Sequence, residues 1–425
     1  MDRGVARAVA SALASLLVLL VALPALASKH RGRDVPPPTP VLGPDSRMSP
    51  SPFPTVLRTP SASDEPPSVS AASAVLADLE TGQILFARDA NEERPIASLT
   101  KLMTAVLVLH RADPRDMVTV STRASTDVGG IGVSELGLRD GERISVEQLL
   151  YALLLQSAND AAVALAEHVS GSVAAFVRAM NVEARRLGMR HTLFFSPNGL
   201  DDRGYSTALD LARLMRAAYA EPLFRRIDTT RFHEIASPSG PPREIQNRDV
   251  LLWLYKGAIG GKTGYTAAAR FCVVAAAQRE NVRLVSVVLG DPGEPFSDAA
   301  SMLNYGYAAF DREPLVEQGH PFGEVDVEGH SVPVAAPSPL AALVPSASRI
   351  RYDVVARPGV PYPPLRGQAV ATLQVRAGST VLRRMPLVVT NVPLPPPPTD
   401  DGPWWRRAAA ALADAIASAV GSLFG

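Results

Sequence analysis

Ser98 and Lys101 stand three residues apart in Ser98-Leu99-Thr100-Lys101, at the start of an apolar run that Pro95 opens and that reads as a helix to about His110. Residues three apart share a helix face, so the Lys101 amine can reach the Ser98 hydroxyl. A serine hydroxyl is a weak nucleophile until a base takes its proton. Lysine is such a base once burial or nearby positive charge leaves it neutral. A seat near a helix N-terminus also brings unpaired backbone N–H groups close to where an oxyanion would form. An ordinary helix start fits the same pattern, but this chain has only four lysines: Lys29, Lys101, Lys256 and Lys262.

Two further trios carry polar groups at unusual places. Ser157-Ala158-Asn159 interrupts the apolar run Leu149 to Leu155, which resumes as Asp160 to Ala166. That reads either as a kink lining a cleft or as a cap between two helices. Lys262-Thr263-Gly264, followed by Tyr265, stands before a strand-like run from Ala267 to Gln278, with Gly260-Gly261 just upstream. Lys262 offers a fixed charge and Thr263 a hydroxyl, a pair suited to holding a carboxylate, and glycine beside a strand permits close approach.

Short apolar strands at Ala74–Leu79 and Gln83–Ala87 flank the turn signal Glu80-Thr81-Gly82. Helical spacing marks Val146 to His168, Ser172 to Leu187 and Ala208 to Ala220. Ala267 to Gln278 and Arg283 to Leu289 then read as paired strands. Strands at both ends with helices between them predict one α+β domain whose sheet is completed by distant segments, over 71–312. Many prolines and the β-prone runs Ile350–Val355, Ala369–Val375, Thr380–Leu382 and Pro386–Val392 predict a small all-β domain over 313–392.

The flanks read differently. Arg3 and Arg7 precede an uncharged run from Ala8 to Ser28, broken by Pro24 and ending in Ala25-Leu26-Ala27. This is the pattern of a secretory signal peptide, residues 1–27, cut after Ala27; a retained anchor is the other reading. Residues 28–70 form a Pro/Ser-rich linker and 393–402 a second, Pro-rich one. In 403–425, Trp404-Trp405-Arg406-Arg407 precedes Leu412, Ile416 and Val420 at four-residue steps, with Asp414, Ser418 and Ser422 opposite. That predicts an amphipathic helix lying on a membrane surface, or else docked on its own protein. The expected location is extracytoplasmic, in the cell envelope on the outer face of the cytoplasmic membrane.

With 42 basic against 42 acidic residues there is no electrostatic case for a nucleic-acid partner. The single Cys272 excludes internal disulfides and cysteine-rich zinc sites, and reads as a small hydrophobe in a buried strand. The histidines lack H-E-x-x-H spacing. Gly129-Gly130-Ile131-Gly132 lacks the context of a phosphate loop and reads as a turn. No metal or organic cofactor is implied.

Together, in this order, the three trios resemble the S-x-x-K, S-x-N and K-T-G set of penicillin-recognising serine enzymes. The surrounding residues, Ala97–Thr104, Gln156–Ala162, Asn198-Gly199-Leu200-Asp201-Asp202 and Gly261–Thr266, are similar to the D-alanyl-D-alanine carboxypeptidases, the low-molecular-mass penicillin-binding proteins. That resemblance implies a β-lactamase/transpeptidase-like fold, an antiparallel sheet flanked by helices with a helical subdomain, followed by the small β domain. It implies peptidoglycan stem peptides and β-lactam antibiotics as ligands. Ser98 would attack the carbonyl between two terminal D-alanines and Lys101 would take its proton. Ser157 would relay a proton to the leaving D-alanine, with Asn159 holding the substrate amide and Lys101. Lys262 and Thr263 would bind the terminal carboxylate. The backbone N–H groups of Ser98 and Tyr265 would form the oxyanion hole, and Asn198 would stand near the hydrolytic water.

The sequence departs from that pattern in Asp291–Ser297, where many members carry a carboxylate-binding arginine and this chain has none; Arg270 is the candidate substitute. A β-lactamase is disfavoured by the β domain, the tail and the lack of an E-x-x-L-N-like segment. An endopeptidase or transpeptidase of cross-links, and a non-catalytic peptidoglycan-binding scaffold, are the other readings of the same residues.

Overall fold

The computed structural model describes residues 64–126 and 133–391. The signal segment, most of the first linker, the Gly129–Gly132 turn and nearly all of 392–425 lie outside the described residues. The chain divides into two compact units between Ala308 and Ala309, slightly before the expected 312/313.

In the first unit, β1 (Ser73–Asp78) and β2 (Ile84–Arg88) form the predicted hairpin. Then come α1 (Lys101–Leu109), α2 (Val146–Tyr151), α3 (Asn159–Ser170), α4 (Val173–Arg186), α5 (Ala208–Ala218) and α6 (Pro222–Asp228). Three strands follow, β3 (Ala258–Thr266), β4 (Arg270–Arg279) and β5 (Val282–Asp291), and the unit closes with α7 (Pro295–Ala309). The sheet is antiparallel with strand order β2-β1-β5-β4-β3, so the first hairpin closes onto the last strands.

Alternation divides the strand residues between two faces. Val75, Val287 and Val274 lie in register across β1, β5 and β4, and Lys262 of β3 stands opposite Val274. The three valines belong to the core shared with α1 to α5, so the same row carries Lys262 toward the helices. On the opposite face α7 packs close enough that a side chain at Gly306 would meet Leu76 and Leu284. Helix ends follow the sequence: Ser145, Ser172 and Thr207 each accept an N–H from the first turn of the helix they precede. α1 is apolar all round and buried, as suits a core helix.

The Lys262-Thr263-Gly264 trio does not precede a strand but lies inside β3, and the next strand starts at Arg270 rather than Ala267. Three glycines in nine residues hide β3 from strand propensity. The helical run over 146–168 is interrupted at the polar trio, as its kink-or-cap reading has it: α2 runs into a π-helical segment, Ala152–Gln156, turns at Ser157 and restarts at Asn159. The hairpin Phe232–Ile235 with Arg243–Gln246 was not expected at all.

The second unit is all β, from β6 (Phe310–Val316) through β7 (Pro321–Val327), β8 (His330–Ala335), β9 (Leu340–Pro345), β10 (Ile350–Ala356) and β11 (Ala369–Ala377) to β12 (Thr380–Val389). β7-β8-β12-β11-β10 form one sheet and β6-β9 a second, over a valine- and leucine-rich core. Pro386 sits inside β12 rather than starting a new strand.

Candidate active site

Ser98 lies in a short 3-10 turn, Ala97–Thr100, that leads directly into α1. Ala97 before it takes φ +47°, a costly conformation for a residue with a β-carbon. Lys101 is fully buried, and its Nζ stands 2.9 Å from Ser98 Oγ. It also donates to Asn159 Oδ1 and to the Asn198 carbonyl, both at 2.7 Å. All three partners are oxygens, so the Nζ protons are fully committed within the cluster. Burial first, then the charges of Lys262 and Arg248, hold Lys101 well below the usual ammonium range, against a smaller opposing pull from Asp160.

The second wall comes from the break between α2 and α3. Ser157 adopts φ +64°, ψ +33°, and its buried Oγ has no hydrogen-bond partner. Asn159 opens α3 with its N–H on the Ser134 carbonyl at 2.8 Å. Asp160 next to it accepts the N–H groups of Leu136, Gly137 and Leu138, which ties loop 133–138 to the break.

The third wall is β3. Lys262 and Thr263 are buried, whereas Tyr265 is 45% exposed and packs on Phe271 with ring centroids 4.7 Å apart. Lys262 Nζ makes one hydrogen bond, to the Thr263 carbonyl at 3.0 Å. Burial and the Arg248 charge bring its pKa down to about 7, with Asp228 and Asp249 pulling the other way. Gly264 lies against the nucleophile's own turn: a β-carbon there would stand 2.9 Å from the Ile96 carbonyl and 3.0 Å from Ser98 N. Gly264→Ala therefore pushes β3 away from the Ser98 N–H. Displacing one oxyanion donor costs about 10²-fold, so second-order acylation by a penicillin should fall by that order; an unchanged rate would remove Gly264 from the site.

The structure brings Ser98, Lys101, Asn159 and Asn198 into one hydrogen-bonded cluster, and the charges of Lys262 and Arg248 act on it. Arg248 was not singled out by sequence. It follows no motif, and in a chain whose cations are nearly all arginine it carries no signal. Its N–H bonds the Leu155 carbonyl at 3.0 Å, yet its buried Nε and Nη2 lack partners, and burial lowers its pKa to about 10. Arg270, the sequence candidate for carboxylate binding, is instead exposed at the turn that opens β4. Cys272 is buried in β4, where burial pushes its thiol up to about 12. No cluster of metal-ligating side chains occurs among the described residues.

A family model described as D-alanyl-D-alanine carboxypeptidase matches residues 60–293. The D-alanyl-D-alanine carboxypeptidase DacF of Bacillus subtilis is 29% identical over 75% of this chain and 84% of its own length. A D-alanyl-D-alanine endopeptidase of Escherichia coli is 33% identical over 56% of this chain and 78% of its own. Among solved structures, penicillin binding protein 5 from Haemophilus influenzae superposes with a TM-score of 0.67 at 29% identity, covering 77% of this chain and 98% of that one.

Proposed function

This chain belongs to the D-alanyl-D-alanine carboxypeptidase family, peptidase S11, and from that premise we propose how its own residues carry the reaction. It is a serine-type hydrolase that removes the terminal D-alanine of peptidoglycan stem peptides and is acylated by β-lactams. Ser98 Oγ attacks the carbonyl between the two D-alanines as its proton passes to the neutral Lys101 amine. The N–H groups of Ser98 and Tyr265 receive the oxyanion. Collapse expels D-alanine, which takes a proton through Ser157, and a water then attacks the acyl-enzyme with Lys101 again as base.

The observation that carries this reading is the fully buried Lys101 amine, 2.9 Å from the serine hydroxyl, with burial and then the charges of Lys262 and Arg248 holding it well below the usual ammonium range. The terminal carboxylate falls to Lys262, Thr263 and Gly264 with Arg248. Arg248 supports that assignment with unpartnered nitrogens in a chain that lacks arginine at 291–297. Export and attachment to the outer face of the cytoplasmic membrane, by residues 1–27 and 403–425, belong to the same reading. They rest on the hydrophobic run ending Ala25-Leu26-Ala27 and on the amphipathic spacing of Leu412, Ile416 and Val420.

Endopeptidase cleavage of cross-links is the second reading, supported by the similarity to the Escherichia coli endopeptidase. Incubation with a stem pentapeptide and with cross-linked muropeptides separates them. Free D-alanine from the pentapeptide supports the carboxypeptidase, and monomer release from dimers without D-alanine overturns it.

A further inference from the structure

Two carboxyls lie behind the strand that carries Lys262, and the reaction above uses neither. Asp228 ends α6 fully buried. Its Oδ2 accepts the Tyr219 hydroxyl at 2.8 Å, the Gly261 N–H also bonds this carboxyl, and Oδ1 is without a partner. Asp249 is buried as well. Its Oδ1 accepts the Leu251 N–H at 3.1 Å, and its Oδ2 is unpartnered.

Both acids press on the main chain just before the lysine. A β-carbon at Gly260 would stand 2.3 Å from Asp228 Oδ2, and one at Gly261 would stand 3.1 Å from Asp249 Oδ2. Gly260 thus admits the Asp228 carboxyl against β3, whereas at Gly261 the tightest neighbour is the Val274 carbonyl of β4, 2.2 Å from a β-carbon, with Asp249 Oδ2 beside it. Unpaired buried acids are costly and persist only for a reason.

Building on the carboxypeptidase reading, we propose that Asp228 and Asp249 are positioning residues for Lys262, pinning residues 260–262 from behind and supplying the counter-charge that keeps its ammonium available to the substrate's terminal carboxylate. The charged surroundings of Lys262 call for such a counter-charge. From the loop before residue 251 comes the charge of Arg248, while β4 offers apolar Val274 opposite it and Lys101 of α1 is held below the ammonium range. Among the described residues, Asp228 from α6 and Asp249 from that same loop oppose Arg248. Tyr219, reaching Asp228 from the end of α5, is held neutral by burial and by that acid.

Burial pushes Asp228 well above the usual carboxylate range and Asp249 up to about 7, and each carboxylate, when charged, favours the Lys262 ammonium.

The test uses the full chain and a pentapeptide ending in D-Ala-D-Ala. As pH rises Lys262 loses its proton and carboxylate binding fails, which gives kcat/KM an alkaline limb. Asp249→Asn keeps an acceptor for Leu251 N–H but removes the charge. It should move that limb toward lower pH by about one unit and raise KM about tenfold near neutrality, with kcat little changed. A wild-type limb and KM in the variant would overturn the proposal, whatever happens to thermal stability. Should Asp249→Asn fail to fold, Asp228→Asn is read in the same assay: a raised KM at constant kcat supports the proposal and an unchanged KM overturns it. Wild-type penicillin labelling and D-alanine release are measured alongside. Their absence would sink the carboxypeptidase reading itself, whereas their presence with an unmoved limb sinks only the role of the two acids.

Discussion

Ser98→Ala eliminates covalent labelling by a fluorescent penicillin and lowers D-alanine release by a factor on the order of 10⁴ to 10⁶, the size of effect seen when a catalytic serine is removed. The substitution deletes one half-buried oxygen whose hydrogen-bond partner is Lys101 Nζ. Lys101 keeps Asn159 Oδ1 and the Asn198 carbonyl, so the cluster survives and the melting temperature should stay within a few degrees of wild type. Labelling, denaturation and peptide mapping locate the adduct. Labelling that persists in the variant, or D-alanine release that does not fall, would remove Ser98 as the nucleophile and take the assigned mechanism with it.

Lys101→Met removes the base while conserving most of the volume of a side chain with no exposed surface. General bases contribute about 10²- to 10⁴-fold, so acylation by penicillin should drop within that range while the substrate's binding constant changes little. The acid limb of the wild-type profile should disappear with it. Lys101 must be neutral to accept the serine proton, and its pKa lies well below the ordinary 10.5 because of burial and the charges of Lys262 and Arg248. Stability gives an independent reading. A lysine with a lowered folded-state pKa binds fewer protons folded than unfolded between its two pKa values, so stability rises with pH across that interval. Wild type should therefore gain stability relative to Lys101→Met as pH increases from the folded value toward 10.5, measured by urea unfolding at several pH values. A difference that stays constant with pH would mean that Lys101 is not held neutral, and the amine could not serve as the base.

The chemistry of the site was legible because it depends on residue type at short spacing. Three residues of separation fix Ser98 and Lys101 on one face whether the first turn is 3-10, as found, or α-helical. Periodicity placed most helices and the first hairpin, since alternating or helical apolar spacing is itself a statement about burial. Sequence misjudged elements whose residues answer to neighbours far along the chain. β3 carries glycines because Asp228, the Val274 carbonyl of β4 and the Ser98 turn approach its backbone, and no local pattern reports those contacts. The interruption at Ser157 was legible as a polar trio in an apolar run, whereas its left-handed conformation between two buried helical segments is set by tertiary packing.

Residue type and order alone pointed to the serine, its lysine, the polar trio and the K-T-G motif, and with them the family; that K-T-G lies inside a strand they did not show. The tertiary structure decided which cations act together. Arg248 enters the site and Arg270 leaves it, because burial depends on where β3 and the loop before residue 251 meet the helices. It also decided protonation. Identical lysines differ in chemistry only through desolvation and neighbouring charge, and both are set by contacts between segments distant in the chain.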